Sequence, residues 1–368
     1  MKTRIAVVFL VLLVVTMAAL LGWFRGSGRP ATAPSPGRRA TLVDRNGVVL
    51  ARDRYATDRA TNSHPARSAR PEASSAGWWR EYPLGETLAN VVGFVGSAGS
   101  GSAGLELSRD SLIRRKTLAR SVVRLTLDVD LQRAAFRGLQ QLVGETRAAR
   151  GSAVAMDAGT GEVLALVDFP GYDLGRARTY PAEALRCHAV TEAFAPGAAG
   201  LGLLPGAEPD SDSRVVSAQR LGLGKLPGIG LPAEASGRLT ESLPGIRVSL
   251  LQLCRAYAAI ADGGILRDPR LLGAGQRNPG RQAVSRAFAG QALTTLAGNA
   301  SSALPLPNVE GIAAPDDAGP VLVWIGLCPA GAPEFVVGVT VEQPLAGYYT
   351  PDTGQSLVLE LSRRVVAR

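Results

Sequence analysis

Residues 151–170 read GSAVAMDAGTGEVLALVDFP, and this stretch carries the pattern that decides the fold. Two apolar runs, residues 152–157 and 162–168, lie on either side of the turn Ala158-Gly159-Thr160-Gly161. Short apolar runs bounded by glycine-containing turns are typical of buried strands. The stretch therefore predicts two strands joined by a turn.

Helices and further strands are predicted on both sides of this pair. One helical face repeats apolar residues at Leu131, Ala134, Ala135, Leu139 and Leu142. Residues 248–264 repeat this spacing and end at Gly263-Gly264, which indicates a helix C-terminus. The other predicted elements are a hairpin over 40–53 around Asn46-Gly47, a strand at 122–130, strands in VLVWIGLC and EFVVGVTVE, and a helix over 354–366. Early and late strands with helices between them indicate a discontinuous sheet with a helical insertion.

Polar segments separate these elements. Residues 56–77 and 206–216 are rich in polar and small residues and predict loops, and GSAGSGSAG at 96–104 predicts a flexible turn. Residues 26–40, GSGRPATAPSPGRRA, are rich in Pro, Gly and Ser and predict a tether. We expect these segments to connect the folded parts of the chain.

The N-terminus carries a candidate membrane anchor. Residues 5–24 are uncharged and apolar, and as a helix they would span the roughly 30 Å hydrocarbon core of a bilayer. The run is longer than the h-region of about 7–15 residues in a cleaved signal peptide, which favours an uncleaved anchor. Cleavage after the ATA at 31–33 is the alternative. We expect a single-pass protein of the cytoplasmic membrane, with most of the chain outside the cytoplasm.

Charge and residue counts narrow the classes of partner and cofactor. The 368 residues carry a formal charge of +9, nearly all of it from arginine. The net positive charge is compatible with binding to an anionic lipid or wall polymer. The sequence lacks the stripe of interleaved basic and aromatic residues that would indicate nucleic-acid binding. Three separated cysteines and two histidines predict neither a disulfide framework nor a zinc site. We expect no metal and no cofactor.

Several ionisable residues could be combined into a site, and each has a simpler interpretation. Cys187 and His188 are adjacent, so their side chains should point apart on a strand or helix. Cys254 and Cys328 lie in apolar runs and should be buried. The carboxylate pairs are Asp128 with Asp130 and Asp157 with Glu162. Their places at turns and strand ends favour structural roles.

The order of the motifs along residues 40–368 resembles that of the class B penicillin-binding proteins, the bitopic D,D-transpeptidases of cell-wall synthesis. The stretches that carry the resemblance are LVDRNGVVLARD, REYPLGETLANVVGFVG, GSAGLELSRDSLI, VVRLTLDVDLQRAA, GSAVAMDAGTGEVLALVDFPGYDL, LGLGKLPGIGLPAEASGRL, GIRVSLLQLCRAYAAIADGG and VWIGLCPAGAPEFVVGVTVEQP. The resemblance implies an α/β fold of the serine transpeptidase/β-lactamase type, a mainly antiparallel sheet flanked by helices, with a reduced helical insertion. It also implies an anchor at 1–25, a linker at 26–40, a shortened membrane-proximal module at 41–120 and a transpeptidase-like domain at 121–368.

The resemblance also locates the family's reactive motifs, and this sequence departs from all three. The family's Pro-Gly-Ser-x-x-Lys would align on Pro196-Gly197, which places Ala198 at the nucleophile and Leu201 at the lysine. The only echo of the second motif, Ser-x-Asn, is Ser211-Asp212-Ser213, which we interpret as a loop. The third motif, Lys-Thr-Gly, has its best match in NVEGIAAP, with Ile312, Ala313 and Ala314 at its positions.

The whole sequence can be searched for these motifs directly. No serine is followed three residues later by lysine or two residues later by asparagine, and no lysine precedes Thr-Gly or Ser-Gly. Lys225, in LGLGKLPG, belongs to a structural block of the family rather than to a motif. We therefore expect no catalytic residues.

These observations predict a catalytically inactive member of the family. Such a protein would act as a scaffold or regulator of peptidoglycan synthesis, and the resemblance implies a polytopic glycosyltransferase or other division or elongation proteins as partners. Two alternatives stay open: a penicillin-binding D,D-transpeptidase with an unidentified nucleophile, and a module that binds peptidoglycan without covalent chemistry. Covalent labelling by a β-lactam separates the first alternative from the others.

Overall fold

Two main sheets organise the described part of the chain. The structure is a computed structural model and describes residues 39–55, 78–114, 122–196, 211–240, 246–276, 278–298, 308–316, 319–350 and 353–368. The smaller sheet contains β1 (Thr41–Val43), β2 (Val49–Tyr55), β3 (Trp78–Glu81) and β4 (Val122–Arg124), in the order β3-β2-β1-β4. The predicted loop at 56–77 lies outside the described residues.

The predicted hairpin at the start of this sheet is confirmed. β1 and β2 pair antiparallel, and the Asp44 carboxylate accepts hydrogen bonds from the backbone N–H groups of Asn46 and Val48, both at 2.8 Å. Gly47 adopts a φ of +92°, which a residue with a side chain rarely tolerates. The predicted strand at 122–130 is shorter than expected, because only β4 is extended, parallel to β1, and a helix begins at Val129.

Short helices and turns follow the smaller sheet. They are a 3₁₀ turn (Gly85–Leu88), α1 (Ala89–Val92), α2 (Gly104–Ser108) and α3 (Asp110–Ile113). The glycine-rich segment at 96–104 closes as a tight turn: Gly96 N–H donates to the carbonyl of Ser100 at 2.9 Å, and Ser102 N–H donates to that of Phe94 at 2.8 Å.

The larger sheet is antiparallel and is built from the first strand pair and the last three strands. Its strands are β5 (Arg150–Asp157), β6 (Val163–Phe169), β9 (Asn308–Asp316), β10 (Gly319–Cys328) and β11 (Phe335–Glu342), in the order β6-β5-β11-β10-β9. The longer helices are α4 (Val129–Thr146), α6 (Ser211–Arg220), α7 (Leu250–Ala261), α8 (Arg286–Gly298) and α9 (Gln355–Val366). The remaining elements are α5 (His188–Thr191), 3₁₀ turns at Leu174–Thr179 and Ala182–Leu185, and the pair β7 (Ile265–Arg267) and β8 (Gly280–Gln282).

Helices cover both faces of the larger sheet, and alternate strand residues supply the two cores. On one face α4 and α9 pack on Trp324, Val337 and Val339. On the other face α7 packs against Ile325 and Val336. The helical face predicted from Leu131 to Leu142 is buried against the first of these faces. The fold predicted from the sequence, a discontinuous antiparallel sheet flanked by helices, is therefore confirmed.

One loop prediction is wrong in part, and the predicted anchor lies outside the described residues. Residues 211–216, predicted as the end of a polar loop, belong to α6, where Ala218 and the following Leu221 are buried. Because most residues of this helix are polar, its sequence shows no clear apolar face. No helix in the described ranges is long and apolar enough to cross a bilayer. The apolar run at 5–24 lies outside those ranges.

Candidate functional site

The positions of the third family motif lie on β9, the edge strand of the larger sheet. Ile312 pairs with Leu322 and Ala313 pairs with Val321 in the antiparallel ladder with β10. Ala314 follows on the same strand. Isoleucine and alanine side chains carry no donor, acceptor or titratable group. The residue types at the three positions therefore include no group that could act in catalysis.

The segment that leads to the first motif lies beside the start of α7. Phe194 and Val248 exchange two backbone hydrogen bonds, of 3.0 and 2.9 Å, and Pro196 is the last described residue before α6. Ala198 and Leu201 lie outside the described residues. α8 packs against both α7 and β9, so this helix pair supports the segment before the first motif and the strand of the third.

A serine and a lysine beside α7 make structural contacts. Ser249 is buried, and its Oγ accepts a hydrogen bond from the backbone N–H of Gln252 in a capping box. The Gln252 side chain in turn donates to the backbone carbonyls of Lys225 at 2.5 Å and Ser236 at 2.7 Å. Lys225 is exposed and contributes through its backbone carbonyl. The structural interpretation of its sequence block agrees with this contact.

His188 lies in a cluster of charged groups at the ends of three strands. Arg150 of β5 approaches the ring, with 2.9 Å between Nη1 and His188 Nδ1, and Glu192 Oε1 lies 3.6 Å from the same nitrogen. Arg150 also pairs with Glu342 of β11, at 3.5 Å. The Asp168 carboxylate at the end of β6 accepts hydrogen bonds from the His188 N–H at 2.9 Å and the Ala189 N–H at 3.1 Å.

Opposing effects set the protonation of this cluster. Burial lowers the pKa of His188, but Glu192 and Asp168 outweigh it and leave the pKa above its usual value. The hydrogen bond from His188 lowers the pKa of Glu192. Burial raises the pKa of Glu342. A protonated His188 carries hydrogen on both ring nitrogens, so protonation would replace the contact with Arg150 by one with Glu192.

Cys187 does not form a nucleophilic pair with His188. The thiol is buried, and burial followed by the charge of Asp168 raises its pKa well above the usual value. A nucleophilic cysteine needs the opposite shift, toward thiolate at neutral pH. Cys254 and Cys328 are buried as predicted, and burial raises the pKa of Cys328 to about 11.

The carboxylates singled out in the sequence have structural contacts. Asp128 accepts hydrogen bonds from Asp130 N–H and Leu131 N–H and caps α4, whereas the Asp130 side chain is 90% exposed. Asp157 accepts a hydrogen bond from Thr160 N–H at 2.8 Å. Glu162 is buried and binds Arg270 Nη2 at 3.1 Å. Among the described residues, no three His, Cys, Asp or Glu side chains are placed to share a metal ion.

The sequence did not identify Arg150, Asp168 and Glu342 as neighbours of His188. Each residue lies at the end of a strand, and the antiparallel order β6-β5-β11 brings those ends together. The sequence shows only that each of these charged residues ends an apolar strand. The strand order is needed to show that the three strand ends are neighbours.

Comparisons with known proteins agree with this fold. The family model described as penicillin binding protein transpeptidase domain matches residues 211–361. The probable peptidoglycan D,D-transpeptidase PenA of Neisseria meningitidis is 27% identical over 385 aligned residues, covering 73% of this chain and 65% of that protein. The peptidoglycan D,D-transpeptidase FtsI of Escherichia coli is 25% identical over 380 residues, covering 73% and 64%. The chain therefore spans about 65% of the length of these relatives.

A solved structure shows the same fold. Penicillin binding protein 3 of Mycobacterium tuberculosis, in complex with aztreonam, superposes with a TM-score of 0.73 at 22% identity, covering 90% of this chain and 96% of that chain. The motif order, the match of residues 211–361 to the transpeptidase domain and the shared fold agree: this chain is similar to the class B penicillin-binding proteins PenA and FtsI.

Proposed function

We propose that this protein is a catalytically inactive penicillin-binding protein that acts as a scaffold or regulator in peptidoglycan synthesis. One observation carries the proposal: the positions that match the family's reactive residues hold only alanine, leucine and isoleucine. These positions are Ala198, Leu201, Ile312, Ala313 and Ala314.

The chemistry of acyl transfer explains why these residue types matter. A serine must attack the carbonyl, and a neighbouring base must take its proton. Ala198 has no oxygen and Leu201 has no nitrogen, so neither can perform its step. Removing such a unit in a serine hydrolase reduces turnover on the order of 10⁶-fold.

The apolar character of the replacements also supports the proposal. A buried lysine without its partners costs several kcal/mol, whereas apolar side chains of similar volume fill the same space without that cost. Leu201 and Ile312 stand where lysines would be expected. The apolar replacements fit a groove that no longer has to hold charged groups.

The relatives indicate where such a scaffold would act. PenA and FtsI are named as peptidoglycan D,D-transpeptidases. By extension, we propose that residues 5–24 anchor this chain in the cytoplasmic membrane and that the rest lies outside the cytoplasm. Its partners would be a polytopic wall-synthesis glycosyltransferase or other division or elongation proteins.

Labelling with a fluorescent penicillin tests the loss of chemistry. The purified full-length protein should form no SDS-stable adduct, while Escherichia coli FtsI treated in parallel serves as the positive control. Stoichiometric labelling would refute the proposal and favour an active transpeptidase with another nucleophile. Sedimentation with purified sacculi separates a scaffold, which should stay in solution, from a peptidoglycan-binding module.

A further inference from the structure

A cavity of about 200 Å³ is lined by residues of the first 240 positions, none of them on β9. Three parts of the fold enclose it: helices α1 and α2, the turn around Leu185, and the loop around Pro232. Its apolar lining includes Ala103, Leu107, Leu185 and Pro232. Leu107 is 44% exposed, so an apolar surface at the cavity is left uncovered.

Asn90 provides a fixed hydrogen-bond acceptor in the cavity wall. The residue is only 4% exposed, and its Nδ2 donates to the backbone carbonyls of Ala184 at 3.1 Å and Arg186 at 2.7 Å. Carbonyl oxygens can only accept, so these two bonds fix the orientation of the carboxamide. Its Oδ1 receives no hydrogen bond from the described residues. Because Asn90 lines the cavity, a ligand there could donate a hydrogen bond to this oxygen.

Arg186 adds a positive charge next to this acceptor. Its backbone carbonyl is bound by Asn90, and the residue is exposed and belongs to the lining of the same cavity. Within the part of the chain that the structure describes, the guanidinium forms no ion pair. Arginine binds carboxylates through two parallel N–H donors, so this residue can hold a carboxylate at the mouth of the cavity.

The loop that closes the cavity is held in one conformation. Ala233 adopts a φ of +59°, which is uncommon for a residue with a side chain. The Glu234 carboxylate accepts hydrogen bonds from the backbone N–H groups of Gly228 and Gly230, both at 2.6 Å, and Ala235 N–H donates to the carbonyl of Val190 at 3.0 Å. These bonds preform the wall, which lowers the ordering cost of binding a ligand.

We propose that this cavity binds an N-acylated small amino acid with a free carboxylate, such as the C-terminal residue of a short peptide. The ligand's amide N–H donates to Asn90 Oδ1, its carboxylate pairs with Arg186, and its aliphatic side chain contacts Leu107 and Leu185. The cavity is smaller than the roughly 300–1,000 Å³ typical of ligand pockets, which limits the occupant to about one residue. The proposal holds whether or not the protein has transpeptidase activity.

Ligand-observed NMR with N-acetylalanine and the full-length protein tests the site. Binding should be saturable. N-Acetylalaninamide, which lacks the carboxylate, and N-acetyl-N-methylalanine, which lacks the amide N–H, should each bind about tenfold more weakly or worse. If acetate binds as tightly as N-acetylalanine, the site recognises only an anion and the proposal is wrong. An absence of saturable binding would also overturn it.

Variants at exposed positions test whether N-acetylalanine binds in this cavity. Ala182→Trp fills the cavity and should abolish binding. Arg186→Gln should weaken the binding of N-acetylalanine about tenfold and leave the affinity for N-acetylalaninamide unchanged. A double-mutant cycle over the two proteins and the two ligands measures this coupling between Arg186 and the carboxylate. Arg176→Gln, at an exposed arginine outside the lining, is the matched control and should bind as the wild type does. Wild-type affinity in both Ala182→Trp and Arg186→Gln would refute the assignment.

Discussion

Glu106 should be among the most sensitive positions for stability, because it holds two buried arginines. Its side chain is fully buried and accepts hydrogen bonds from Arg39 Nε and Arg80 Nε, both at 2.8 Å. Arg39 is likewise fully buried, and Arg80 is 2% exposed. The three residues lie far apart in the sequence, so this cluster joins the start of the described chain to β3 and α2.

Glu106→Gln preserves the volume of the side chain and removes its charge. Breaking a buried ion pair by neutralising one partner costs about 3–5 kcal/mol, because an uncompensated charge stays buried. Asp53, 2.9 Å from Arg80, and Asp110, 2.6 Å from Arg39, still compensate part of the charge, so we expect about 3 kcal/mol. With an unfolding entropy of about 2.1 cal/mol/K per residue over the compact unit Arg38–Arg368, this corresponds to a fall in Tm of about 4 °C.

Glu81→Gln is the matched control. Glu81 also binds two arginines, with 2.5 Å to Arg52 Nε and 3.0 Å to Arg54 Nε, but its side chain is 25% exposed. Exposed ion pairs contribute about 0–1 kcal/mol, so this variant should melt close to the wild type. Thermal and urea unfolding of the full-length variants measure both changes. Equal losses for Glu106→Gln and Glu81→Gln would refute the argument from burial.

Three further predictions concern the larger sheet and its surroundings. The folded state raises the pKa of His188, so the protonated ring stabilises the fold and this contribution is lost as the pH rises through that pKa. In thermal melts between about pH 5 and 8, the Tm of His188→Gln should therefore change less with pH than that of the wild type. Gly338→Ala places a Cβ 2.4 Å from Cys254 Sγ and should cost about 1–3 kcal/mol in urea unfolding, whereas Gly290→Ala, in open space on α8, should add about 0.5–1 kcal/mol. Thiol reagents should label Cys187 and Cys254 only in denaturant, and rapid labelling of the native protein would contradict their burial.

The sequence predicted the larger sheet well because its signals are local. The glycine turn at 158–161 and the apolar run VLVWIGLC are local signals, and the strands formed there as expected. The helix α7 was also predicted, from its apolar spacing and from Gly263-Gly264 at its end. Hydrophobic periodicity and caps are sufficient for elements of this kind.

Contacts between distant segments were not predictable in the same way. The cluster around His188 depends on the order of three strands, and the Asn90 cavity depends on where the turn around Ala184 meets α1. Neither arrangement leaves a periodic pattern in the sequence. α6 was missed for a related reason, because its apolar contact through Ala218 is made with residues far along the chain.

The architecture also explains how a chain can keep this fold whether or not it has catalytic residues. The two cores lie between the sheet and the helices α4, α7 and α9, and buried residues of β10 and β11 belong to both cores. Among the described strands β9 pairs only with β10, so Ile312 and Ala313 lie at the edge of this arrangement. Substitutions at an edge strand can remove reactive groups while the cores and the strand order stay intact. A fold of this kind therefore persists with or without its chemistry, and covalent labelling by a penicillin is the measurement that distinguishes the two cases.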